Sequence, residues 1–214
     1  MKCLLSVLFG LSLLLALVAN VSGAEQTDTS ILQTAVGQPR INVKLNTLLF
    51  LGFINPAVEF KVMEKWTVQM EALGVFYPYN FMGTGKPLVM GTCFGEFRYY
   101  PKTAFKGFYL SPNLGFSVYK LNKGLVPGYK GAYEGDYYQQ GYNVMAGVTL
   151  GYQWNIGKHW SLELTWGAGY QHSVYHGFNR GGKDEPYVEY YIGRNASAEW
   201  LPLYKGGFFV GYRF

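Results

Sequence analysis

His172 and Ser173 stand side by side near the end of a long alternating stretch, with His176 and Tyr175 just beyond and Glu185 and Glu189 in the segment that follows. A serine nucleophile needs a base within hydrogen-bond reach and an acid behind that base, so this is the part of the chain most like a catalyst. On a strand, however, adjacent residues point to opposite faces. His172 and Ser173 therefore cannot pair if the strand runs through them, since the spacing that would put a histidine and a serine on one face is His-x-Ser and these two are adjacent. We expect no catalytic residue and no enzyme activity, the alternative being a lipid A-modifying hydrolase. His172 and His176 also make only two candidate metal ligands, where a zinc site needs three or four. No glycine arrangement follows a strand to cradle a phosphate. Neither a metal nor a cofactor is expected.

A second set of chemically active residues falls on the polar side of the same alternation. Lys44, Lys61, Arg98 and Arg213 share it with Glu59, Glu71, Glu96 and Glu163, four cations against four carboxylates. Two readings follow, a narrow low-conductance channel or a salt-bridged plug that fixes strand register. The interior of an eight-stranded barrel is just wide enough to be filled by side chains, and buried charges are tolerated only when paired and hydrogen-bonded. We expect the plug, and no open pore.

The elements that must carry these residues are strands. Alternation of period two recurs along residues 40–214, which is the signature of half-buried β-structure. Eight segments show it: Arg40 to Phe53, Ala57 to Met63, Trp66 to Tyr77, Val89 to Tyr100, Phe108 to Val118, Tyr142 to Gln153, Trp160 to Tyr170, and a last one ending at Phe214. The connections Met63–Lys65, Pro101–Lys106 and Asn155–His159 are short. Those at 78–88, 121–139 and 172–206 are long, and only Ile54–Pro56 is short where an outer loop is due. This predicts an all-β fold, an eight-stranded antiparallel up-and-down transmembrane β-barrel with short inner turns and longer outer loops. Trp66, Tyr99, Tyr100, Trp154 and Trp160 cluster at the short-turn end, where an aromatic belt would meet lipid headgroups. In the last strand Phe208, Val210, Tyr212 and Phe214 alternate with Gly207, Gly211 and Arg213, which resembles the aromatic signal read by outer-membrane assembly machinery.

Composition agrees with that compartment. Charged residues make up 14% of the chain and aromatics 18%, against roughly 25% charged in an average soluble domain. The run from Leu4 to Ala19 behind Met1 and Lys2 falls short of the ~20 residues of a membrane helix, and Ser22, Gly23 and Ala24 suit a cleavage site. The chain is thus divided into a cleaved signal peptide (1–24), a periplasmic tail (25–39) and the barrel (40–214). Cleavage removes Lys2 and lowers the formal charge from +5 to +4. That excess is scattered, so no nucleic-acid partner is expected. Cys3 would leave with the signal, and Cys93 alone can form no intrachain disulfide.

The outer loops carry tyrosines among charges: Tyr129, Tyr133, Tyr137 and Tyr138 in one, Tyr187, Tyr190, Tyr191 and Trp200 in the last. A ring supplies contact area and its hydroxyl a hydrogen bond, a combination suited to glycan or protein contact. Tyr187–Arg194 is also read as a possible extension of the strands above the membrane. Three stretches, Val43-Lys44-Leu45-Asn46 with Asn55-Pro56, Glu96 to Pro101 with Gly107-Phe108, and the Gly151, Tyr152, Trp154 region, resemble an uncharacterised family of outer-membrane barrels, domain of unknown function 3575, known mainly from Bacteroidota. The resemblance runs from about Arg40 to Phe214. It implies the barrel, a size like that of OmpA and OmpX, and the outer membrane of a Gram-negative bacterium, and it transfers no catalytic residue. It also raises a surface-appendage protein, fimbria-associated, as partner. The expectation is a monomeric, plugged barrel of structural or adhesive role, in contact with outer-membrane lipid and the assembly machinery.

Overall fold

A computed structural model describes residues 40–122, 125, 137–179, 186–194 and 200–214. The expected signal peptide and tail lie outside them, as do Tyr129, Tyr133 and Glu185. Ten strands follow one another: β1 (Ile41–Asn46), β2 (Phe53–Ile54), β3 (Pro56–Lys61), β4 (Trp66–Tyr77), β5 (Leu88–Tyr99), β6 (Gly107–Leu121), β7 (Tyr138–Ile156), β8 (Trp160–Asn179), β9 (Val188–Arg194) and β10 (Trp200–Arg213). All described pairings are antiparallel. β10 pairs with both β1 and β8, so β1, β3, β4, β5, β6, β7, β8 and β10 close an eight-stranded barrel. Among the described residues no helix is long and apolar enough to cross a membrane.

The polarity of the strands is the reverse of a water-soluble barrel. Asn42, Lys44, Glu59, Thr67, Gln69, Glu96, Arg98, Ser111, Thr149 and Glu163 are buried, whereas Leu110, Leu114, Phe116, Val144, Val148 and Leu164 are exposed. β6 shows the pattern most cleanly, alternating buried and exposed from Gly107 to Ser117. Period-two alternation therefore sorts charge inward and aliphatic area outward.

Several boundaries differ from expectation, each for a local reason. The first strand does not run to Phe53. It stops at Asn46, whose side chain accepts from the Leu48 amide and caps a 3-10 turn over Thr47–Leu51. The run Leu48, Leu49, Phe50, Leu51 cannot alternate, and Gly52, at a φ of +76°, closes the turn in the left-handed region that glycine tolerates. The first connection thus spans 47–55, not Ile54–Pro56. At the far end β8 runs to Asn179 and β10 begins at Trp200, so much of the expected 172–206 loop is strand. β9 pairs with β8 beyond the rim reached by β10, the extension anticipated for Tyr187–Arg194.

Glycines open space inside. A Cβ on Gly151 would run into the ring and hydroxyl of Tyr109, which is fully buried and held by neighbours. Overpacking of this kind costs about 1–3 kcal/mol. Gly151→Ala should lower the unfolding midpoint in urea accordingly, and a stability equal to the parent would show that Tyr109 can retreat.

Candidate functional site inside the barrel

Every strand of the barrel contributes to one polar network across its middle. Lys44 on β1 lies 2.5 Å from both Glu59 on β3 and Glu163 on β8. Arg98 on β5 bonds Glu96 through Nε at 2.7 Å, and reaches Glu163 at 3.0 Å and Glu59 at 3.4 Å through Nη1. Lys205 on β10 pairs with Glu71 on β4 and with Glu96 at 3.0 Å. The neutral donors complete it. Tyr100 donates to Glu59 at 2.8 Å, Tyr109 on β6 to Glu163 at 2.6 Å, and Thr149 on β7 to Glu96 at 3.1 Å. Glu71 also accepts from Asn55 at 3.1 Å and Gln69 at 3.3 Å. The Arg98 guanidinium lies over the Tyr109 ring, 4.3 Å from its centre.

The chemistry of this arrangement is mutual neutralisation. A buried carboxylate loses several kcal/mol of hydration, which only good geometry and filled lone pairs offset. Each of the four carboxylates here accepts from three or four donors, so none is left as a bare charge. The network is also a register device, because sliding any strand by one residue would turn its member outward.

Six of the eight sequence-predicted charges meet here: Lys44, Glu59, Glu71, Glu96, Arg98 and Glu163. The other two lie away from this centre. Lys61 is half-buried at the end of β3, and Arg213 donates to the carbonyls of Gly157, Lys158 and Trp160 at the β7–β8 turn. Lys205 takes a place that sequence reasoning left to a loop. The set among the described residues is three cations and four carboxylates, not four and four.

The aromatic positions need one correction. Trp66 packs on Phe97 and Tyr99 with ring centres 4.7 and 4.8 Å apart, and Trp154 and Trp160 are exposed at the same end, beside Tyr152 and Tyr212. Tyr100 is not in this belt. Tyr100 continues the inward parity of Glu96 and Arg98 just past the end of β5, and it is fully buried with Phe105 beneath the network. In the last strand Phe214 is 65% exposed and Val210 37%, while Phe209 faces in. Phe208 and Tyr212 are half-buried.

At the other end Tyr138 stacks on Phe178 at 4.9 Å and meets Tyr187 edge-on at 4.8 Å, with the Lys120 ammonium 4.1 Å over its ring. Tyr137 is half-buried and its carbonyl accepts from Asn122. Tyr190 on β9 and Trp200, which opens β10 against Tyr170, are 73% and 76% exposed. Tyr191 lies in β9 between them. His172 is exposed while Ser173 is buried, so the strand does send them to opposite faces. His176 pairs instead with Glu189 at 2.9 Å across β8 and β9.

No curated protein and no solved structure matches the chain. A family model does, the one described as a protein of unknown function (DUF3575), over residues 13–198. The match starts before β1 and stops short of β10, so the strand that closes the barrel lies beyond it. Covering most of the chain, it places this protein in the DUF3575 family.

Proposed function

We propose that the chain is an outer-membrane β-barrel, plugged by its charged interior, that presents tyrosine-rich loops to a partner outside the cell. The observation that carries this is the inverted polarity: a paired ionic network within and exposed aliphatic and aromatic side chains without. Exposed apolar area costs about 25 cal/mol per Å² in water, a cost that lipid removes. Lipid in turn demands a closed barrel, since an open edge finds no hydrogen-bond partner there. The segment 1–24 acts as the export signal in this reading. Tyr190 and Trp200 support the contact role, glycan or surface-appendage protein, because both amphipathic rings are exposed at the loop end. The opposite directions of His172 and Ser173 favour a non-catalytic barrel over a lipid A hydrolase.

Fractionation tests the compartment. The native protein should resist carbonate extraction from outer membranes and migrate faster unheated than boiled on a denaturing gel. Recovery in the soluble fraction would end the proposal. Phe214→Ser should cut the amount of folded, membrane-borne barrel several-fold, since it removes a 65% exposed ring from the closing strand while leaving the backbone bonds to Arg40 and Ile41 in place. Unchanged outer-membrane levels would remove the assembly role. Purified protein in planar bilayers should give no stable large conductance, because the network fills the cross-section, and a steady large current would overturn the plug.

A further inference from the structure

β1 and β3 have six residues each, while β7 and β8 have nineteen and twenty. A membrane strand needs about 9–11 residues, and six residues tilted by about 40° rise only about 15 Å against an apolar band of about 25 Å. The β1–β10 ladder ends at Asn46 and Phe209. Above that level, among the described residues, Trp200–Phe208 of β10 has ladder partners only on the β8 side. The 3-10 turn and β2 stand where two strands would otherwise continue. Their sequence from 47 to 54 holds no charged residue, and Leu49, Phe50, Leu51 and Ile54 are exposed, Phe50 by 90%. Leu203 is exposed on the facing side of β10.

Side chains close the wall where the backbone ladder stops. Asn46 donates to Asn55 at 2.8 Å and to the Gly206 carbonyl of β10 at 3.4 Å. Asn55 donates onward to Glu71 and to the Ala72 carbonyl of β4 at 2.9 Å. Glu71 returns to β10 through Lys205. Gly207, at a φ of +146°, has no Cβ because the Asn46 amide occupies that space. Directly inside, the Phe94 ring stacks on Tyr204 at 5.7 Å and the Lys205 ammonium sits 5.2 Å from it.

We propose that this notch is a side opening from the surrounding lipid into the barrel, latched by Asn46, Asn55, Glu71 and Lys205, and that its occupant is the acyl chain of a membrane lipid. The apolar lip at 49–54 continues the exterior apolar face, and the aromatic pair behind the latch offers a chain its first internal contact. The inference rests on the membrane reading above. Its test separates the two.

A photo-crosslinking benzoylphenylalanine is placed singly in the full-length protein, folded in phospholipid vesicles, at Tyr204, at the exterior Phe97 and at the buried Phe105. Phe97 and Tyr204 should give phospholipid adducts by mass and Phe105 none. Combining Asn46→Ala with Asn55→Ala removes the four hydrogen bonds that these amides donate and should raise the Tyr204 adduct by at least about tenfold. Adducts at Phe97 with none at Tyr204 in either background overturn the opening and leave the membrane barrel standing. Absence of lipid at Phe97 as well removes both. A protein adduct at Tyr204 in place of lipid also overturns it. Heat-modifiable migration verifies folding, and if the double variant does not fold, the comparison of Tyr204 with Phe97 in the unaltered latch still decides.

Discussion

Replacing Arg98 with methionine is expected to destabilise the folded barrel by about 3–5 kcal/mol, the cost of removing one partner from a buried ionic cluster. Arg98 serves three carboxylates at once, Glu59, Glu96 and Glu163, and all are shielded from water. Methionine keeps much of the volume and removes the charge, so lost packing is a minor part of the effect. Lysine should recover only a fraction, because one ammonium cannot reproduce a fork that reaches separate acids through Nε and Nη1. Removing both ends of another pair, Lys205→Met with Glu71→Met, should cost less than the sum of the single changes, since neither charge is then left alone. Urea unfolding in vesicles, followed by tryptophan fluorescence, measures all five variants. An Arg98→Met barrel as stable as the parent would mean that water or ions reach the three carboxylates, and the plug would no longer hold.

How far this network could be read from the sequence depends on how strictly each strand alternates. Glu163 lies in an uninterrupted run from Trp160 to Tyr170, and Glu96 and Arg98 in a shorter one, so their inward direction follows from counting. Lys205 was within reach of the same count: it has the parity of Gly207, Gly211 and Arg213, and its ladder with β8 is unbroken from Lys205 to Tyr212, but a loop drawn to 206 cut it from the strand. Tyr100 has the parity of Glu96 and Arg98, a phase that the aromatic pair Tyr99-Tyr100 concealed. Tyr109 was readable as inward-facing, but its bond to Glu163 joins residues 54 apart in the chain and depends on the curvature that brings β6 to β8. The notch had a local signal in the non-alternating Leu48–Leu51 run after Asn46. Its significance appears only once β10 is seen to rise above it with, among the described residues, ladder partners on the β8 side alone.

Leu114→Arg is expected to destabilise the barrel by about 2–4 kcal/mol, a penalty that belongs to lipid and not to water. Leu114 stands at the centre of β6, 68% exposed, between Gly95 of β5 and Ala146 of β7. In a water-soluble barrel this substitution would exchange an exposed leucine for an exposed arginine, and surface changes of that kind stay within about 0.5 kcal/mol. In a bilayer the same guanidinium lies at mid-depth, too far from either surface to reach headgroups at low cost. Ile156→Arg supplies the internal comparison. Ile156 ends β7 at the short turn and is also exposed, so at the interface its arginine should cost only about 0–1 kcal/mol. The difference between the two positions, taken from urea unfolding in vesicles, cancels arginine's own strand propensity and reports depth alone. Equal, small effects at both sites would place the exterior face in water. A large penalty confined to Leu114 would assign that face to lipid.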